Sequence, residues 1–247
     1  MRSAPVKLTH PQMSESLLLG ALLAMAGGFL DAHTYLLRGN VFANAQTGNI
    51  VLFGVNLARG DLAQALYCAV PIAAFALGVV ATELVRHRFR ARRHHLHWRQ
   101  LIVAAEGALL LGVAFLPVGG EWDVLANVAI SFICALQTET FRKVNGSACA
   151  TTMCTGNLRS ATERLLRFAR GGDARDRSES RLYYGVIACF IAGATLGALL
   201  SERFQARGLL ACCALFGAAF LAMFFRGETA PRSRADGAGA APRGEVA

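Results

Sequence analysis

Apolar residues in this chain gather into runs too long for one face of a soluble helix, with the charged residues confined to the gaps between them. The runs fall near 17–37, 62–85, 101–118, 124–141, 182–201 and 208–225. A helix crosses a bilayer with roughly 20 apolar residues, so the pattern predicts an all-α polytopic membrane protein with six transmembrane helices. The first run follows Arg2 and Lys7. At about 21 residues it exceeds the roughly 7 to 15 of a cleaved signal peptide and reads as a retained signal anchor. Segment 227–247, rich in Gly, Ala, Pro, Arg and Ser, has no apolar periodicity, and segment 1–15 resembles it. These are expected to be a disordered cytoplasmic tail and a cytoplasmic N-terminal segment around a membrane domain at 16–226.

Charge tests the six-span reading. With the N-terminus inside, 21 of the 25 Lys and Arg fall in the inner segments, leaving only Arg38, Arg59, Arg203 and Arg207 outside. Basic residues accumulate on the cytoplasmic side of short loops. An inner-membrane location with both termini cytoplasmic follows. Segment 41–58 is apolar enough to suggest a seventh span, but that would put the six-Arg loop between Arg86 and Arg99 outside. The segment is instead expected to return to the side it left, as a re-entrant loop or a surface helix.

The chain also repeats itself. Thr47-Gly48-Asn49 recurs as Thr155-Gly156-Asn157, and a slide of 108 positions places Asp31 on Glu139. Further along, 77–83 falls on 196–202. Two landmarks in one order argue for duplication. The halves, 16–118 and 122–226, each contain three expected spans, so the second enters the membrane from the opposite side and the repeats are inverted. After the second Thr-Gly-Asn, Leu158, Ala161, Leu165 and Phe168 share one helical face, with Arg159, Glu163, Arg164 and Arg167 elsewhere. This predicts an interfacial amphipathic helix.

Composition agrees: 54% of residues are hydrophobic, 17% are charged and the mean hydropathy is +0.41. The net charge of +9 suits anionic lipid headgroups at the cytoplasmic Arg clusters, and no nucleic-acid module is visible. Seven Cys, an odd number lying mostly in apolar runs, argue against a disulfide framework. His94, His95 and His97 lack the carboxylate or thiol companions of a metal site. No hydrolase, nucleotide-binding or metalloprotease motif occurs, so neither an enzyme nor a cofactor is expected.

Asp31, about six residues inside the first span, is the leading candidate for chemistry, because an ionised carboxylate there needs water, a proton or a partner. Gly20, Ala24, Gly27 and Gly28 share its helix and permit close approach. Glu139 repeats the carboxylate near the end of the fourth span, although it also suits a polar contact between helices or a side chain reaching the interface. Thr, Gly and Asn favour helix starts. If such starts dip into the bilayer, their amides favour an anion or polar solute; at the surface they are caps. Glu106 stands alone in the third span.

Gly27-Gly28-Phe29-Leu30-Asp31-Ala32, Val41-Phe42 with Thr47-Gly48-Asn49, Leu136-Gln137 and Thr151 to Gly156 resemble the YoaK-like family of small bacterial membrane proteins, over about 16–226. The resemblance implies a six-span inner-membrane protein of unassigned function. Here Thr138 follows Gln137 where the family commonly has Asn, and an acid at Glu139 lies outside its pattern. Together the readings favour a small secondary transporter of an unknown solute, with Asp31 as proton or cation site and Thr47, Gly48, Asn49, Gln137, Glu139, Thr155, Gly156 and Asn157 along the pathway. A channel and a non-transporting membrane scaffold or sensor are the alternatives, and a homo-oligomer is compatible with all three.

Overall fold

The computed structural model describes residues 16–90 and 98–225. The three histidines at 94, 95 and 97 and both terminal segments lie outside the described residues. The described chain is almost wholly helical: α1 (Leu17–Leu37), α2 (Gln46–Ala58), α3 (Leu62–Arg90), α4 (Trp98–Val113), α5 (Glu121–Thr140), α6 (Cys154–Ala169), α7 (Ala174–Phe204) and α8 (Leu209–Phe225). A two-stranded hairpin, β1 (Lys143–Val144) and β2 (Ser147–Ala148), precedes α6. Three helical stretches, Leu17–Leu37, Leu62–Arg88 and Ala174–Met223, are long and apolar enough to cross a membrane.

Local chemistry sets the boundaries. The Ser16 hydroxyl accepts the Leu19 amide at 3.2 Å and opens α1. The Asp173 carboxylate accepts the amides of Arg175 and Asp176, so α7 starts eight residues before its apolar run. Asn145 and Gly146, with φ of 50° and 79°, form the turn of the hairpin; such a pair satisfies the positive φ that a tight two-residue turn requires.

Packing fixes the helix directions. Met25 meets Gly193, Phe29 meets Gly197 and His33 bonds Ser201 at 2.8 Å, each pair 168 positions apart, so α1 and α7 run parallel. Tyr67 with Asn127, then Gly78 with Phe132, then Glu83 with Arg142, make α3 and α5 parallel. By contrast, Gln137 bonds the Leu23 carbonyl while Asn127 bonds that of Arg38, so α1 and α5 are antiparallel. The start of α4 lies beside the end of α5. Thus α1, α4 and α7 point one way and α3, α5 and α8 the other. The main packed pairs are α1 with α7 and α8, α3 with α5, α5 with α4, α4 with α8, α2 with α3 and α6 with α7. Exchanging α1–α4 for α5–α8 in order returns the same set of pairs.

The core lies between α1, α4, α5 and α8 and includes Leu23, Phe29, Leu30, Leu110, Ile130, Ile133 and Phe216. Large apolar side chains such as Ile50, Leu77, Phe115, Ile191 and Leu199 remain exposed. An outer surface of this kind suits hydrocarbon surroundings.

At one end of the bundle, Arg38 is completely buried. Its guanidinium meets Asp123 at 2.8 Å and the Leu116 and Pro117 carbonyls, while its own carbonyl accepts from Tyr67 and Asn127. The charge count places Arg38 among the four basic residues outside and assigns it no partner. Instead it joins α1, α3 and α5 to the segment after α4, as a buried charge must be paired. At the other end, Glu83, Arg86, Glu139 and Arg142 form a partly exposed ion-pair cluster between α3 and α5.

Candidate functional site

Between α1, α3, α5 and α7 lies a cleft of about 750 Å³. Its lining is mostly apolar, with Tyr35, Phe42, Ile72, Phe75 and Phe190 among the walls. Polar groups enter at Asp31, Thr138 and Thr152 and at the first residues of both short helices. From α2 come Gln46 and Thr47; from α6 come Cys154, Thr155 and Gly156. The two Thr-Gly-Asn segments, 108 positions apart in sequence, therefore meet at one cavity.

Each short helix reaches the cleft by folding back against its successor. Asn56 of α2 faces Cys68 of α3, and the α2 start lies level with Phe75 and Ala76 of α3. On the other side, Arg164 pairs with Asp176 and Thr162 with Tyr184, which brings the α6 start level with Phe190 and Ala194 of α7. The arginine-rich stretch expected from the sequence is present in α6, but its first turn leaves that surface and enters the cleft.

Asn49 and Asn157 do not cap these helices. Neither the α2 nor the α6 start has a side-chain cap bond. Each Asn instead reaches back seven residues: Asn49 Nδ2 donates to the Phe42 carbonyl at 2.7 Å, and Asn157 Nδ2 to the Ala150 carbonyl at 2.7 Å. Asn49 Oδ1 also accepts the Phe42 amide. Both clamps satisfy backbone groups that no regular element can reach. Without a side-chain cap, both starts keep the partial positive charge of a helix N-terminus, although at α2 the Gln46 and Gly48 amides bond the Asn44 and Ala45 carbonyls at 2.8 Å. Gly48 packs against the Phe42 ring, where a β-carbon would approach to 2.8 Å, whereas Gly156 has nothing within 4 Å and opens on the cleft.

Asp31 is buried but lines the cleft. Its Oδ1 accepts the Asn44 amide at 2.7 Å, and the amides of Ala43 and Ala45 also point at the carboxylate. It thus holds the segment leading into α2. On α5, Gln137 reaches the segment leading into α6: its Nε2 donates to Leu23 O at 2.9 Å and Thr151 Oγ1 at 3.3 Å. Gln137 is two residues before Glu139, the match suggested by sliding the sequence. Glu139 lies in the ion-pair cluster with Arg86 and Arg142 and lines a separate surface pocket. Asp31, Thr47, Thr155 and Gly156 come together; Gly48, Asn49, Gln137 and Asn157 shape their surroundings; Glu139 stands apart.

Thr152 lies in a segment that carries the family resemblance and Thr138 departs from it, but neither is among the pathway residues expected from sequence, and their hydroxyls bond at 3.0 Å beside the cleft. The signal for Thr152 was its place in the segment aligned with 42–49. No sequence periodicity marks Thr138.

A family profile matches residues 19–222, nearly all of the helical assembly, and the features above fall inside that range. No curated protein and no solved structure matches the chain. The chain belongs to the DUF1275 family, proteins of unknown function.

Proposed function

We propose that this protein is a small secondary transporter of the inner membrane, with six spans arranged as two inverted repeats and both termini in the cytoplasm. The observation that carries the reading is the cleft: it reaches Asp31, and the uncapped starts of α2 and α6 meet there. Opposed helix directions and a packing pattern unchanged by exchange of the halves support the inverted repeat. On this reading α2 and α6 are half-helices starting near the bilayer midplane, where amide ends hold a polar or anionic group and the apolar walls hold the rest of the solute. Asp31 links the solute site to the segment that positions α2. Its charge state changes that link, so a proton or cation there alters the site. Exposed arginines of the α6–α7 hairpin meet anionic headgroups.

Cys154 supplies a native probe, because its side chain lines the cleft. In vesicles of known orientation, a membrane-impermeant maleimide should label Cys154 from one side, and Cys154→Ser should remove that label. A panel of small carboxylates, inorganic phosphate and neutral polar solutes should contain members that slow the labelling and raise the unfolding temperature, as ligands of the native state must. Solutes that protect should exchange across proteoliposomes, and Asp31→Asn should abolish exchange while leaving the protein folded. A Cys154 unreactive from both sides would refute the transport reading and favour a membrane scaffold.

A further inference from the structure

Glu106 sits among the buried residues of α4, between Val103 and Leu110, and is 0% exposed. Among the described residues neither carboxyl oxygen has a hydrogen-bond partner. Helix α4 packs on α5 and α8 and touches α3 lightly. From α5, Cys134 lies within electrostatic reach of Glu106, of Cys212 on α8 and of Asp31 on α1. Ser131 Oγ, one turn before Cys134, is also buried without a partner. From α3, Glu83 and Arg86 are held in the ion-pair cluster with Glu139 and Arg142. Helices α1, α5 and α8 contain no Lys or Arg.

A carboxylate in these surroundings has lost its hydration without gaining a counter-charge. Something must occupy it. A hard metal cation requires about six oxygen ligands or more, whereas the side chain placed within reach of this carboxyl is the Cys134 thiol. A proton requires only the carboxyl itself.

We propose that Glu106 is a proton-binding site in the core behind the cleft, taking a proton from hydronium to become the neutral acid and returning it to water. Glu106 does not line the cleft, so the proton and the solute occupy different places in the molecule. Use of this site to couple proton movement to solute movement rests on the transport reading; its existence does not.

The test is infrared spectroscopy of the purified full chain in lipid nanodiscs. The wild type should show a carboxylic acid C=O band that shifts down after exchange into heavy water and disappears in Glu106→Gln. Glu106→Asp should restore a band at a displaced frequency. An unchanged spectrum in Glu106→Gln would overturn the assignment. So would a band that never shifts in heavy water, marking a sealed structural acid, or one abolished by sodium chloride at constant pH, marking a cation site. Each of these failures leaves Cys154 labelling and solute protection untouched, so the two proposals fail separately.

Discussion

Adding one methyl group between α1 and α7 should separate them. A β-carbon on Gly193 would lie 2.0 Å from the Met25 carbonyl oxygen, and one on Gly28 would lie 2.0 Å from that of Phe190. Both obstacles are backbone, so no side chain can swing aside. Restoring an ordinary contact requires the helices to part by about 1.2 Å, and a gap of that order forfeits roughly two fifths of the dispersion energy across it. For some 40 atom pairs at about 0.15 kcal/mol each, the loss is about 2.4 kcal/mol. Alanine returns roughly 0.5–1 kcal/mol through better helix propensity, leaving a net loss of about 1.5–2 kcal/mol for Gly193→Ala. Gly185, on the same helix, has nothing within 4 Å of its would-be β-carbon. Gly185→Ala should therefore gain the propensity term alone, placing the two variants about 2.5 kcal/mol apart. Equilibrium unfolding in mixed micelles titrated with dodecyl sulfate measures the difference. If Gly193→Ala unfolds within about 0.5 kcal/mol of Gly185→Ala, the close backbone contact does not hold these helices together.

Asn49→Ala should cost about 1–3 kcal/mol, because the part-buried Phe42 amide and carbonyl both lose partners; Asn157→Ala should cost less, and thermal unfolding ranks the two. Gly156→Leu, projecting into open cleft, should leave stability within about 0.5 kcal/mol of wild type yet remove solute protection of Cys154, read by maleimide labelling. Burial, with a smaller contribution from Cys154, pushes the Cys149 thiol up to about 12. A raised thiol value means less thiolate at neutral pH, so Cys149 should alkylate about a thousandfold more slowly than a free cysteine until pH approaches that value; mass spectrometry after timed alkylation checks it.

The apolar runs located the helix bodies well, since burial in lipid leaves little freedom in where a span falls. The residues 17–37 expected for the first span are those of α1. Polar extensions were harder to read: α7 gains its first turns from an Asp173 cap and from Arg–Glu pairs, which hydropathy does not register. The Asn145-Gly146 pair is a legible turn signal, and the hairpin belongs to a segment two residues longer between Gln137 and Thr155 than between Asp31 and Thr47. A fixed slide of 108 pairs Asp31 with Glu139, whereas the α5 side chain that reaches the segment before α6 is Gln137. The convergence of both Thr-Gly-Asn segments on one cavity depends on how α2 and α6 fold back, and no local pattern encodes that.

The 168-residue register between α1 and α7 has a consequence for how the protein is made. The first helix of the chain finds its closest partner in the seventh, and the third finds its own in the fifth, so each half stores its stabilising surface in the other. During synthesis α1 must persist in the bilayer with its glycine face uncovered until α7 emerges, and a chain cut at Gly119-Gly120 would yield two fragments that become stable only on meeting.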